Sequence, residues 1–155
     1  MLLKAKDPVP AIETQDDTGK PFRFDSLRGK RVVLFFYPKA DTPGCTTEAC
    51  GFRDEQEKFQ AADTVIVGVS PDKETAQAKF RKKFDLPYIL LADKDHSVAE
   101  AFGVWGEKKF MGRTYMGVNR TTFVIGKTGK IEHVFEKVKP EGHAAEVIGY
   151  LTKSA

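Results

Sequence analysis

The segment RVVLFFYP, residues 31–38, is a continuous run of β-branched and aromatic residues without polar alternation. Such a run predicts a strand covered on both faces, and Pro38 ends it. Downstream, the apolar positions Cys45, Ala49, Phe52 and Phe59 recur at offsets of four, seven and fourteen, which predicts one long helix with a buried face. Its start is marked by Thr42 as N-cap and Pro43 at the first helical position, where a missing N–H costs nothing. The pattern then alternates. TVIVGVS (64–70) reads as strand, DKETAQAKFRKKFD as helix, YILLAD as strand and DHSVAEAFG as a short helix. RTTFVIGKTGKIEHVF reads as a β-hairpin turning at Lys127–Gly129, followed by a helix over 142–151. In the first 30 residues, DDTGKP (16–21) reads as a turn between two short strands. Together these elements predict an α/β sandwich around a mixed sheet.

Composition narrows this picture without changing it. A chain of 155 residues, with no repeat, low-complexity tract or Gly/Ser linker, reads as one domain with a full core. The excess of 25 Lys+Arg over 22 Asp+Glu is mild, and its clusters FRKKFD and GEKKF are broken by phenylalanines and acids. That reads as a solvated face rather than a nucleic-acid stripe. No run approaches the ~20 apolar residues of a membrane helix. The opening MLLKAKDPVPAIE has no apolar signal core, so a reducing cytoplasm is expected, where two cysteines seldom form a permanent structural disulfide. GKT at 126–128 lacks the glycine that a phosphate loop needs at position 121, and reads as the hairpin turn.

Both cysteines lie in DTPGCTTEAC, residues 41–50. With Thr42 as cap, Cys45 falls at the third helical position, where N–H groups lack intrahelical partners and the helix end carries partial positive charge. Both favour the reactive thiolate, and the sulfur stands where a capping box would put Glu or Gln. On the face of Ala49 and Phe52, it is expected to be only partly open to solvent. A small buried hydrophobe is the plain alternative. A zinc site would need about four ligands, and His96, His133 and His143 share no spacing with the cysteines. Five helical residues place Cys45 and Cys50 Cα atoms ~8.6 Å apart. A disulfide needs less than about 7 Å. Bridging them therefore requires unwinding the start of the helix.

The string PKADTPGC (38–45) resembles the Pro-x-x-x-Thr-x-x-Cys motif of peroxiredoxins, thiol peroxidases with a thioredoxin-like fold. FFYPKADTPGCTTEACGFRD, GVWGEKKFMGRTYMGVNRTTFVI and the opening DPVPAIETQDDTGKPFRFDSLRGK are similar to the Q-type subfamily, also called bacterioferritin comigratory protein. The resemblance spans nearly the whole chain. It implies a thioredoxin-like fold, a central mixed sheet flanked by helices, with an N-terminal β-hairpin extension.

By the same resemblance, Cys45 is the peroxidatic cysteine, Thr42 sets its hydroxyl beside the sulfur and the peroxide oxygen, and Pro38 shields the site from water. Arg120 stabilises the thiolate and polarises the peroxide, and Glu48 orients Arg120. For Glu48 a solvated first-turn acid is the plain alternative. Trp105 and Phe110 either cover the site or belong to aromatic packing. Cys50 implies an intramolecular cycle: sulfenic acid on Cys45, a Cys45–Cys50 disulfide, then reduction by thioredoxin or glutaredoxin. The expected substrates are hydrogen peroxide and organic hydroperoxides, with no cofactor or metal, in a cytoplasmic monomer. Two other readings use the same cysteines: a redox sensor that relays oxidation to a partner, and a general disulfide oxidoreductase, which typically carries Cys-x-x-Cys.

Overall fold

Every residue of β3 (Arg31–Phe36) is buried, as its unbroken apolar run requires. The reason is its central place between β4 (Thr64–Ser70), parallel to it, and β8 (Thr121–Ile125), antiparallel. The computed structural model describes residues 2–154 and, of Phe110, the backbone alone. Around β3 a seven-stranded mixed sheet runs β2-β1-β5-β4-β3-β8-β9, where β1 is Glu13–Asp16, β2 Pro21–Arg23, β5 Ile89–Ala92 and β9 Ile131–Glu136.

Successive β3 side chains alternate between two cores, as strand geometry dictates. Val32, Leu34 and Phe36 join the cluster that takes in Val98, Ala99 and Phe102 of α4 (Ser97–Phe102). Val33, Phe35 and Tyr37 face the opposite cluster, with α1 (Pro43–Asp54), α2 (Gln56–Ala61), α3 (Glu74–Lys83) and α5 (His143–Lys153). Phe35 sits at the centre of that second core, its ring 4.7 Å from Phe52 and 5.4 Å from Tyr37 between centroids. Cys45 belongs to this cluster.

The single long helix expected after residue 42 is two helices. Glu55 leaves helical geometry at φ −104°, ψ 11°, and α2 starts on its far side. Phe52 and Phe59 nevertheless stay on the same core, with ring centroids 5.6 Å apart. Apolar periodicity reports burial, which is continuous across the joint, and so cannot reveal it.

The expected N-terminal hairpin, β1 with β2, is present and extends the main sheet. β1 pairs antiparallel with β5 through Gln15↔Ala92 and Asp16↔Leu91, making β1 and β2 the edge of the main sheet. The Lys127–Gly129 turn is the predicted hairpin, closed by Gly126 N–H to Lys130 O at 2.8 Å. A further hairpin, β6 (Trp105–Phe110) with β7 (Arg113–Val118), forms a separate two-stranded sheet. Its turn residues Met111 and Gly112 both have positive φ, 51° and 78°, the signature of a type I′ turn.

Phe35→Ala is expected to destabilise the protein by about 3–5 kcal/mol in urea unfolding, through lost burial and an unfilled cavity. Met111→Ser, at a side chain 86% exposed, should stay within about 0.5 kcal/mol.

Candidate active site

The loop from β3 into α1 is held by specific bonds before the helix begins. Asp72 accepts the Ala40 N–H at 2.7 Å and the Ser70 hydroxyl at 2.6 Å. Asp41, at φ 58°, pairs with Lys83 Nζ at 2.9 Å. Tyr37 donates to Gln77 Oε1 at 2.6 Å, and Gln77 Nε2 donates to the Leu91 carbonyl at 2.8 Å. Half-buried Pro38 thus starts from a fixed point.

Thr42 occupies the N-cap position and Pro43 the first turn, but the Thr42 side chain makes no capping bond. Its hydroxyl instead donates to the Lys39 carbonyl at 2.8 Å. A hydroxyl whose proton is engaged by Lys39 presents its free lone pair as an acceptor.

Cys45 is fully buried, more enclosed than its place in the first turn suggested. The enclosing group is Arg120, between β7 and β8. Its Nη2 donates to Cys45 Sγ at 3.2 Å, and its Nη1 donates to Glu48 Oε1 at 2.9 Å. Glu48, one turn beyond Cys45, is 1% exposed, not the solvated acid of the plain alternative. Its second carboxyl oxygen, Oε2, is buried without a hydrogen-bond partner. Burial pushes the Glu48 carboxyl up to about 7, against the opposing pull of Arg120.

Gly44 makes this approach possible. A Cβ there would lie 2.9 Å from Arg120 Nη2. Sequence reasoning missed Gly44, because a clearance between residues 76 apart leaves no local signature. It also missed Lys108 on β6, which donates to the Val118 carbonyl at 2.9 Å. Burial holds Lys108 below the usual amine range, aided by the charge of Arg120 and opposed by that of Cys45. The β6–β7 hairpin therefore adds a second cation beside the site.

Cys50 is half-buried in the same unbroken α1, and both thiols are free. Burial pushes the Cys50 thiol up, with Arg53 opposing and Asp54 adding to the shift. The second half of α1 is tied to the protein at two points. Tyr88 donates its hydroxyl to the Ala49 carbonyl at 2.6 Å, and Arg53 Nη1 donates to the Phe84 carbonyl at 2.8 Å. Trp105 stacks on His96 at 3.9 Å and packs against the α4-side core, so it belongs to aromatic packing. The Phe110 side chain lies outside the described residues.

A buried first-turn cysteine clamped by an arginine that also grips a buried glutamate is an arrangement for handling anionic sulfur. Residues 5–134 match the AhpC/TSA family, and the chain belongs to that family. It is 46% identical to peroxiredoxin Bcp of Bacillus subtilis, over 96% of this chain and 94% of that one. Among solved structures, Mycobacterium tuberculosis peroxidoxin BcpB superposes with a TM-score of 0.87 at 39% identity, covering 99% of each chain. Xanthomonas campestris bacterioferritin comigratory protein superposes at 0.90 with 31% identity, covering 97% of this chain and 98% of that one. That structure comes from trapped intermediate/ligand complexes bearing on alkyl peroxide reduction. The sheet and its flanking helices are accordingly a thioredoxin-like fold, and the Q-type resemblance of the sequence holds.

Two variants probe the clamp. Gly44→Ala should destabilise the protein by about 1–3 kcal/mol in urea unfolding, since the new Cβ pushes Arg120 off its buried partners. By displacing the guanidinium it should slow Cys45 oxidation by peroxide about 10–100-fold in stopped flow. Glu48→Gln should alter the pH dependence of stability. Unfolded, the carboxyl ionises near 4.5; folded, near 7. Between these values the folded state binds the extra proton, so the Glu48 contribution falls as pH rises through the window and is level above it. Urea titrations below and above the window should show Glu48→Gln gaining about 3 kcal/mol relative to wild type.

Proposed function

We propose that the protein is a thiol peroxidase that reduces hydrogen peroxide and organic hydroperoxides through Cys45. The observation that carries this reading is the 3.2 Å contact of Arg120 with a buried first-turn sulfur. The Cys45 thiolate attacks one peroxide oxygen; the S–O bond forms as the O–O bond breaks, and the departing oxygen takes a proton. Charge builds on that oxygen, so donors already aimed at the site lower the barrier. Arg120 supplies them from a planar guanidinium fork. Thr42, with its proton on Lys39, accepts from the peroxide O–H, and Pro38 limits water. Alkyl peroxide reduction in the X. campestris relative supports the extension to organic hydroperoxides.

Cys50 acts as resolving thiol. Its sulfur condenses with the Cys45 sulfenic acid, giving a disulfide and water, and a dithiol protein of the thioredoxin or glutaredoxin class restores both thiols. The intact α1 holds the two residues too far apart to bridge, so its start unwinds between the steps. The protein works as a single-domain cytoplasmic monomer.

Peroxide consumption coupled to thioredoxin, thioredoxin reductase and NADPH tests this reading. Wild type should cycle, Cys45→Ser should be inert, and Cys50→Ser should complete one oxidation and then stall. Wild-type activity no faster than Cys45→Ser would sink the peroxidase reading. A single oxidation followed by a long-lived mixed disulfide would favour the sensor.

A further inference from the structure

We propose that Glu48 is the proton reserve of the site: it is protonated while Cys45 carries the thiolate charge, and ionises as that charge is lost, so that Arg120 always faces one anion. This rests on the peroxidase reading. The geometry is one cation bridging two acids. Arg120 gives one nitrogen to Cys45 and the other to Glu48, and its own side chain is only 19% exposed. Two anions against one guanidinium would leave an uncompensated charge in a dry site, which costs several kcal/mol. Only one of the two acids is therefore ionised at a time.

The unpartnered Glu48 Oε2 says which. In the thiol peroxidase at rest the sulfur must be the anion, and a carboxylate oxygen buried without a donor is costly. A neutral carboxyl bears that isolation at lower cost than a charged one, so Glu48 holds the proton. Burial, pushing this carboxyl up to about 7, places the exchange within reach of neutral pH.

The other groups packed around the pair do not compete for this proton. Tyr37, at the end of β3, and Tyr88, before β5, are held well above the usual phenol range by burial, and both stay neutral. Lys108 faces the site from β6 as a cation. From α5, His143 meets α1 through the Phe52 ring, its own nitrogens engaged by Thr122 and Glu146.

The step balances. Cys45 thiolate, protonated Glu48 and ROOH become Cys45 sulfenic acid, ionised Glu48 and ROH. The attacked oxygen keeps its hydrogen as the sulfenic O–H, and the proton released by Glu48 ends on the departing alkoxide. On return, the reductant dithiol supplies two hydrogens, one to the Cys50 thiol and one to Glu48, as Cys45 leaves as thiolate. Glu48 touches no substrate; it contributes the proton it releases and the charge it then presents to Arg120.

Infrared difference spectroscopy of the reduced full-length protein on adding hydrogen peroxide reads this directly. It should be run about one unit below the Glu48 value, where the carboxyl is mostly protonated. The expected result is loss of a protonated-carboxyl C=O band with gain of carboxylate, absent in Glu48→Gln and in Cys45→Ser. Isotopic labelling of the glutamate carboxyls in wild type assigns the band to a glutamate even if Glu48→Gln folds poorly. Oxidation of Cys45, verified by mass spectrometry, without a carboxyl change overturns the proposal alone, as does a change that persists in folded Glu48→Gln. Absence of Cys45 oxidation overturns the peroxidase reading and the proposal with it.

Discussion

The guanidinium of Arg120, gripping Glu48 on one side and the Cys45 sulfur on the other, is the constraint on which the site depends. It joins two parts of the chain that have no local reason to meet, the first turns of α1 and the entry to β8. Removing one partner of such a buried set strands the others in a low-dielectric interior, at a cost of about 3–5 kcal/mol. The rest of the architecture serves to keep the set assembled. β3 lies between β4 and β8, so the strand that launches α1 is hydrogen-bonded directly to the strand that Arg120 precedes. Gly44 then removes the one Cβ that would intervene.

The same helix carries a second, opposing requirement. In the proposed cycle Cys45 is clamped to react and released to be resolved by Cys50. The ties on α1 are arranged in keeping with that division. Tyr88 and Arg53 bond the second half of the helix to the β5 side of the protein. The first turn is tied through Arg120 and the packed sulfur, and the loop before it through Asp72 and Lys83. In that cycle oxidation alters the sulfur and so weakens its contact with Arg120.

Where the chain's own pattern was strong, it was readable. The run 31–38, the strand 64–70 and the Lys127–Gly129 turn came out of periodicity and turn chemistry, and Pro43 placed Cys45 in a first turn. The break at Glu55 did not, because the core aromatics continue across it. The β6–β7 hairpin was hidden for a different reason. Met111, Tyr115 and Met116 are exposed, so apolar residues on that hairpin do not mark a buried face. The clamp itself was legible only through resemblance to a known family. Glu48 and Arg120 are 72 positions apart, and no local rule says that an acid on a helix will be buried against a distant arginine. The Thr42 hydroxyl was read as a helix cap because its position permits that bond; the Lys39 carbonyl, three residues back, won the proton.

The joint at Glu55 gives α1 an end of its own. A helix continuous through Phe59 would lead any distortion at Cys45 toward the segment that feeds β4, at the centre of the sheet. The twelve residues between the proline loop and the Glu55 joint open, in the proposed cycle, as a unit while the sheet stays folded. In the proposed cycle, oxidant therefore acts on this protein as a denaturant confined to one helix. The time α1 spends open becomes a record of peroxide flux, written in local stability rather than in the shape of the whole molecule.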